Sequence, residues 1–360
     1  MTAIPARPAP SFATAGPLRR SIRRFTGRAG IFLVAVAILS AFLMPLAYMS
    51  LTAFKDQAQV ADPGAPLYPA SPRVFEYEGE AHPIYEVPID GVTRQLAIVE
   101  KGRESSVLID PANLGAGTFV WQGRWRTLTP VWDFDPKVEN FALAWEQIEF
   151  PKLLRNTAII AVLSTIGAVG SAIAVAYGFS RFRFRGRGPL FLVLLATIML
   201  SSQVTLVPTY ILFTRIGWSG TWLPLIVPHF FANAYNVFLL RQYFLTIPRD
   251  LDEAAMIDGA GPFRILRSVI VPQAIPAIVA VTLFHFFFAW NEFLLSLVYV
   301  GGNADLWPLS LGMQKFASLY VTRPPLVQAS AILAIAVPVV VFLLAQRAFM
   351  RGVVVTGVDK

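Results

Sequence analysis

The chain contains no cysteine and only three histidines, and charged residues make up just 14% of its 360 positions. Without thiols it has no disulfide, no zinc–thiolate centre and no cysteine nucleophile. A soluble domain carries about 25% charged residues, so the scarcity of charge excludes an ordinary soluble fold. No G-x-x-x-x-G-K-[ST] run occurs anywhere, which excludes a phosphate-binding loop of that type. What the chain has in abundance is apolar sequence: 55% hydrophobic residues and a mean hydropathy of +0.57. These residues gather in blocks of about 20, the length of helix that crosses a bilayer. The sequence is that of an integral membrane protein.

The net charge of +8 does not point to nucleic acid, because its distribution follows the blocks. Residues 1–30 carry six Arg and no acid, and four more Arg stand at 181, 183, 185 and 187, just after an apolar block. Residues 55–139 are the reverse, with eight Lys and Arg against thirteen Asp and Glu. Basic residues at alternate membrane edges mark the cytoplasmic side. The predicted fold is an all-α polytopic membrane protein with six transmembrane helices and both ends cytoplasmic. A small β-rich extracytoplasmic insert separates the first and second spans.

In order, the chain divides into a basic cytoplasmic N-terminus (1–29), a first span (30–53), the insert with its lead-in (54–150), a core of five spans (151–347) and a cytoplasmic tail (348–360). The first block exceeds the roughly 7–15 residues of a signal-peptide core and lacks an A-x-A site, so it is expected to remain as a span. The later spans are predicted at about 155–178, 189–212, 221–240, 276–299 and 325–347. On this topology the inner segments, with Arg347, hold seventeen Lys and Arg and the two short outer loops hold three. Trp218, Trp222 and Trp307 fall near outer boundaries, where interfacial aromatics belong. In the insert, Pro63, Pro66, Pro69 and Pro72 form a stiff lead-in. Hairpins are predicted around Asp90-Gly91 and Gln122-Gly123. The second would set Trp121 and Trp125 on opposite arms, with Trp132 nearby. The insert is expected to contact a partner membrane subunit or to help receive a binding protein.

The cytoplasmic loop 241–275 is the most informative stretch. Asp250 is a candidate N-cap with Glu253 at the capping-box position, and Asp252 and Glu253 suit the positive end of the helix dipole. Gly259 supplies the left-handed residue that ends a short helix. Pro262 suits the first turn of a second helix, which Pro272 closes. Ala254 and Ala255 leave room for close approach, and Leu251, Met256 and Ile257 offer apolar knobs. A helix lying on lipid is one reading. Asp252, Glu253 and Asp258, with no base in the helix, would be repelled by an anionic leaflet, which favours a protein partner.

The run Glu253-Ala254-Ala255, then Gly259, then Val269-x-Val271-Pro272 resembles the EAA loop of permease subunits in binding-protein-dependent ABC importers. Val269 and Val271 stand where that pattern has Ile and Leu. Asp252 to Gly261, together with Ala289-Trp290-Asn291-Glu292-Phe293, is similar to the carbohydrate branch, and more narrowly to the maltose G-type subunit. The resemblance covers about 140–360 and the first span, and leaves the insert at about 60–135 unexplained. It implies that Glu253, Ala254, Ala255, Asp258, Gly259 and Pro272 couple the chain to an ATPase. It also implies a second permease subunit in a heterodimer, two ATP-binding subunits, an extracytoplasmic solute-binding protein and a place in a bacterial or archaeal cell membrane. ATP and magnesium would be held by the partner ATPase, and this chain would have no cofactor, no metal and no enzymatic step of its own. The solute would be a sugar or a related compound, the alternative being a non-carbohydrate solute carried by the same machinery. A stand-alone secondary transporter would need inverted repeats and paired intramembrane charges, which the sequence lacks.

Asn291, Glu292 and Gln203 are candidates for the translocation pathway. An intramembrane carboxylate is costly unless it faces a cavity or a partner, so Glu292 either lines the pathway or makes a helix–helix or interfacial contact. His229 and His285 are expected to be packing or boundary residues. His285 and Ser296 are eleven apart on one predicted helix, too far to act together.

Overall fold

The computed structural model describes residues 17–89, 91–316 and 322–354. Asp90, half of the first predicted hairpin turn, lies outside them, as do residues 1–16 and 355–360 of the predicted cytoplasmic termini. Residues up to Leu51 and residues from Thr52 onward form two compact units. The first is helix α1 (Pro17–Ala53) up to its last turn; its stretch Arg28–Ala53 has a mean hydropathy of 2.5. At 1.5 Å per residue those 26 residues reach roughly 39 Å, enough to cross a bilayer core of about 30 Å.

The second unit opens with the insert. Helix α2 (Gln57–Ala61) is capped by Asp56, whose side chain accepts from the Ala58 N–H. The buried Gln59 side chain then holds the proline-rich lead-in. Its amide donates to the carbonyls of Pro66 (2.9 Å) and Tyr68 (2.6 Å), and its oxygen accepts from Ala70 N–H. Strands β1 (Ala70–Pro72), β2 (Val74–Tyr77), β3 (Glu80–Ile89), β4 (Val92–Glu100), β5 (Ser105–Ile109), β6 (Thr118–Gln122), β7 (Thr129–Pro130) and β8 (Trp132–Phe134) follow. An antiparallel meander β2-β3-β4-β5-β6 carries β7 on the outer edge of β3, and β1 pairs separately with β8.

The period-two alternation of strands gives this sheet two apolar faces. Tyr85, Val87, Leu96, Ile98 and Leu108 form one, and Ile84, Ala97 and Ile109 the other. The Asp90-Gly91 hairpin is present: Ile89 pairs with Val92 and Gly91 has φ +78°. The Gln122-Gly123 hairpin is not. β6 pairs back onto β5, with Ser105 opposite Gln122, and the chain after Gly123 turns through a short 3-10 helix to reach β3 as β7. A Cβ at Gly123 would strike the Trp121 ring, so this glycine serves ring packing rather than a two-residue turn. Trp121 and Trp125 lie against the same cluster, Trp125 edge-on to Tyr85, while Trp132 sits apart in β8 opposite Pro72.

Helix α3 (Glu139–Gln147) closes the insert at its base, where Asn140 donates to the carbonyls of Ala53 and Lys55, both at 2.9 Å. The membrane-type helices follow: α4 (Phe150–Arg181), α5 (Arg187–Ala196), α6 (Ser202–Arg215), α7 (Leu223–Ile226), α8 (Ala234–Thr246), α9 (Asp250–Ile257), α10 (Pro262–Ile265), α11 (Val271–Gln273), α12 (Ile275–Trp290), α13 (Leu294–Val300), α14 (Leu309–Gly312) and α15 (Pro324–Val354). Among the described residues four stretches are long and apolar enough to cross a membrane, and six if each of two bent pairs counts as one.

α4 is the packing centre. Its buried face is small (Ala161, Ala168, Ala172, Ala176), which lets neighbouring backbones come close. A Cβ at Gly167 would collide with the Phe230 ring.

Three predicted spans are broken, among them 221–240, where Phe231 and Asn233 are extended between a 3-10 turn and α8. The stretch 189–212 bends by 98° between α5 and α6. Leu200 and Ser201 are extended there, and the Thr197 hydroxyl turns back onto the Leu194 carbonyl at 2.7 Å. The stretch 276–299 is interrupted at Asn291–Phe293, so His285 and Ser296 stand on different helices.

Candidate functional site

The loop that carries α9 begins where α8 must stop. Ile247 precedes Pro248 and takes the extended conformation that such a residue prefers, ψ 126°. α9 starts immediately, one residue earlier than the capping pattern predicts. The Arg249 carbonyl already accepts from Asp252 N–H (2.9 Å) and Glu253 N–H (3.1 Å), so Asp250 is the first helical residue and not the cap. No side-chain cap bond forms, and the capping box is absent. Asp250, Asp252 and Glu253 nevertheless occupy the first turn, where the dipole favours acids.

α9 ends as its glycine requires. Gly259 has φ +77°, Ala260 N–H donates to the Ala255 carbonyl (2.9 Å) and Gly259 N–H to that of Met256 (3.0 Å). This is a Schellman closure, with Asp258 as the exposed C-cap. Pro262 opens α10 at its first position. α11 ends at Gln273, so the second helix closes one residue after Pro272. A π turn over Leu266–Ile270 precedes that proline, α11 continues through it, and an 82° bend falls at Ala274. Widening the helix before a proline relieves the clash of its ring with the preceding turn.

The eight residues of α9 present two faces. Leu251, Ala254, Met256 and Ile257 are exposed, Ile257 at 87%. Ala255 is half-buried against the packed core of α4, α8 and α12, so the two alanines face different ways. Asp252, three residues before Ala255, points inward with it and is 6% exposed.

Asp252 meets Arg181 at the last turn of α4, Nε to Oδ2 at 3.1 Å, with both side chains under a tenth exposed. Arg181 also donates through Nη2 to the Ile247 carbonyl at 3.0 Å. Tyr177, one turn earlier, donates its hydroxyl to the Pro262 carbonyl at 3.1 Å. Burial holds the Asp252 carboxyl above its ordinary pKa, a rise that the neighbouring Arg181 and Arg249 guanidiniums only partly offset. Tyr177, Arg181, Arg249, Asp252, Glu253 and Pro262 border a cavity of about 140 Å³ between α4 and the loop.

Sequence reasoning assigned Arg181 to topology and Asp252 to the dipole, and missed that they meet. Nothing local connects two positions 71 residues apart.

The pathway candidates lie elsewhere. Asn291 ends α12, exposed, with its amide on the Phe287 carbonyl at 2.8 Å. The Glu292 carboxylate accepts from Leu295 N–H at 2.8 Å, capping α13, and its backbone carbonyl accepts from the Ser296 and Ser310 hydroxyls. Gln203 is exposed in the first turn of α6, in contact with Ser201. α6 and α13 adjoin through Tyr299 and Thr209, hydroxyl to hydroxyl at 3.3 Å. The helix-cap role of Glu292 was open to sequence only through the break that it serves.

His229 and His285 come together, ring centroids 4.8 Å apart, with Asn236 Nδ2 3.4 Å from His285 Nδ1. Among the described residues no group of three or more His, Asp or Glu is arranged to hold a metal.

Residues 168–355 match the family model described as binding-protein-dependent transport system inner membrane component. The osmoprotective compounds uptake permease protein GgtD of Synechocystis sp. is 34% identical over 204 residues, which cover 56% of this chain and 68% of that one. The sn-glycerol-3-phosphate transport system permease protein UgpE of Rhizobium meliloti is 35% identical over 211 residues, 58% of this chain and 74% of that one. Among solved structures, a chain of a bacterial ABC transporter involved in import of the acidic polysaccharide alginate is similar in fold. Its TM-score is 0.63 at 19% identity, over 91% of this chain and 97% of the other.

Proposed function

We propose a definite place for this chain within the family of binding-protein-dependent transport system inner membrane components, to which it belongs. It is a permease subunit of an ABC importer and not the importer's ATPase. In the proposed arrangement it forms one half of the translocation pathway, paired with a second permease subunit. It spans the membrane six times with both termini cytoplasmic, in a bacterial or archaeal cell membrane. Two ATP-binding subunits hold ATP and magnesium on the cytoplasmic side, and a solute-binding protein delivers cargo from outside.

The observation that carries the coupling role is the division of α9 into an anchored face and an exposed one. The inward face is tied to α4 through Asp252, and the outward face offers Leu251, Ala254, Met256 and Ile257. An exposed apolar face on a helix whose first turn carries three acids suits a protein surface better than an anionic leaflet. Glu253 and Asp258 flank that face, Gly259 fixes the turn after it, and the bend beyond Pro272 passes into α12.

The cargo is a sugar or polyol. The run Ala289–Phe293 and the relative named for sn-glycerol-3-phosphate support this class. A non-carbohydrate cargo is the second reading, and the relative named for osmoprotective compounds favours it. Asn291 and Gln203, exposed beside helix breaks, are the stronger pathway candidates, because the Glu292 carboxylate already serves a helix end. The insert receives the binding protein or braces the second permease.

The test is uptake into vesicles that hold the complex purified through a tag on this chain. Uptake of a labelled sugar or polyol should require ATP inside and binding protein outside. Uptake by this chain alone, or driven by an ion gradient without ATP, would overturn the reading.

A further inference from the structure

We propose that the Arg181–Asp252 pair is the positioning contact through which the cytoplasmic loop drives α4, so that α9 and α4 move as one body. This rests on the reading of α9 as the site where an ATPase docks. It adds where the motion goes next.

Among the described residues, this is the one ion pair with both side chains under a tenth exposed; in the others at least one partner is much more open. A buried pair holds its geometry because neither charge can turn to water, whereas exposed pairs rearrange freely. The pair does not act alone. The Arg181 bond to the Ile247 carbonyl ties down the approach to α9, and the Tyr177 bond to the Pro262 carbonyl ties down α10. Arg249, from the loop side, reaches the Ser180 carbonyl at 3.5 Å. Both loop helices and the segment before them are therefore fastened to the last two turns of a single helix.

The other end of that helix is fastened as well. Lys152 pairs with Asp305 at 2.5 Å, and Asn156 donates to the carbonyls of Asp305 (2.8 Å) and Trp307 (3.0 Å). The Thr157 hydroxyl accepts from Leu309 N–H at 2.7 Å. α4 is 32 residues of uninterrupted α-helix, roughly 48 Å at 1.5 Å per residue, without an internal proline beyond its first turn. α12, packed against it, is separated from α11 by an 82° bend and from α13 by the break at Asn291–Phe293. A displacement of α9 at one end is carried by a stiff rod to the 305–309 connection at the other. Asp252 and Arg181 are positioning residues in this scheme: neither is on the exposed face of α9.

The pair is tested in the complete complex, in proteoliposomes, by the amount of solute moved per ATP hydrolysed. Asp252→Asn should retain the ATPase subunit and its basal hydrolysis, while uptake and solute per ATP fall at least tenfold. The exchange Arg181→Asp with Asp252→Arg should recover a third or more of the lost coupling. Arg181→Lys keeps the charge but has a single nitrogen in place of the guanidinium fork that serves both Asp252 and Ile247, and should give an intermediate ratio. It is the decisive variant if Asp252→Asn does not accumulate in the membrane. Wild-type solute per ATP in Asp252→Asn, or in Arg181→Lys where that variant decides, would overturn the proposal. So would an exchange variant that regains normal abundance but no coupling. Absence of any ATPase from the wild-type complex would count against the docking reading of α9 instead.

Discussion

The insert and the loop that carries α9 both lie outside the four long apolar stretches and both fold without cysteine, yet they are held by opposite means. The insert owns a core. Alternation along β3, β4 and β5 buries Val87, Leu96, Ile98 and Leu108 on one face and Ile84, Ala97 and Ile109 on the other. Its ion pairs are peripheral: Arg73 and Asp133 meet at 2.5 Å but are 42% and 50% exposed. The loop has eight residues in α9 and four in α10, too few to enclose anything. It borrows the surface of α4 and fastens to it through buried polar groups, Arg181–Asp252 and Tyr177–Pro262. A self-sufficient core suits a domain that keeps its shape. A polar fastening to another element suits a part whose work is to pass its displacement on.

That contrast can be broken by substitutions, ranked here by expected effect. Arg181→Ala would strand the Asp252 carboxylate in a buried site, and breaking such a pair costs about 3–5 kcal/mol. The expected result is local opening of the loop, read as tryptic cleavage at Arg264 and Arg267 in inside-out vesicles at least a hundredfold faster. The insert should be unchanged. Leu108→Ala, in the insert core at 0% exposure, should cost about 2–5 kcal/mol. It would lower the denaturant midpoint of the Trp121 and Trp125 fluorescence and leave cleavage of the loop alone. Arg73→Ala removes an ion pair between open side chains and should move neither readout measurably. A large effect of Arg73→Ala, or none of Arg181→Ala, would erase the distinction between the two regions.

How much of this was legible in the sequence depended on the range of the interaction. The Asp90-Gly91 hairpin was legible because turn and register are decided within a few residues of Gly91. The Gln122-Gly123 hairpin failed because β6 finds its partner in β5 and the glycine accommodates an aromatic ring. The end of α9 at Gly259 was legible for the same local reason as the first hairpin. Its start was misplaced by one residue because the turn after Pro248 lets the Arg249 carbonyl begin the helix without a side-chain cap. Apolar blocks marked the membrane helices, but block length cannot register a break, so the interruptions at Leu200–Ser201 and Asn291–Phe293 were absent from the prediction, whereas the bend at Ala274 falls where Pro272 was expected to end the loop helix. The ion pair at the centre of the site was least legible. A charge read for topology at 181 and another read for the helix dipole at 252 become one contact only when α4 and α9 are packed together.

The most direct test of the coupling surface uses Ile257, whose side chain is 87% exposed and makes no structural demand on the fold. Detergent-solubilised membranes holding the tagged wild-type chain and its Ile257→Glu variant are purified side by side, and ATPase activity is measured per mole of chain. The wild type should bring an ATP-hydrolysing polypeptide with it, and the variant, equally abundant in the membrane, should lose at least nine-tenths of that activity. Equal ATPase recovery with both chains, or none with either, would contradict the assignment of α9 as the docking helix.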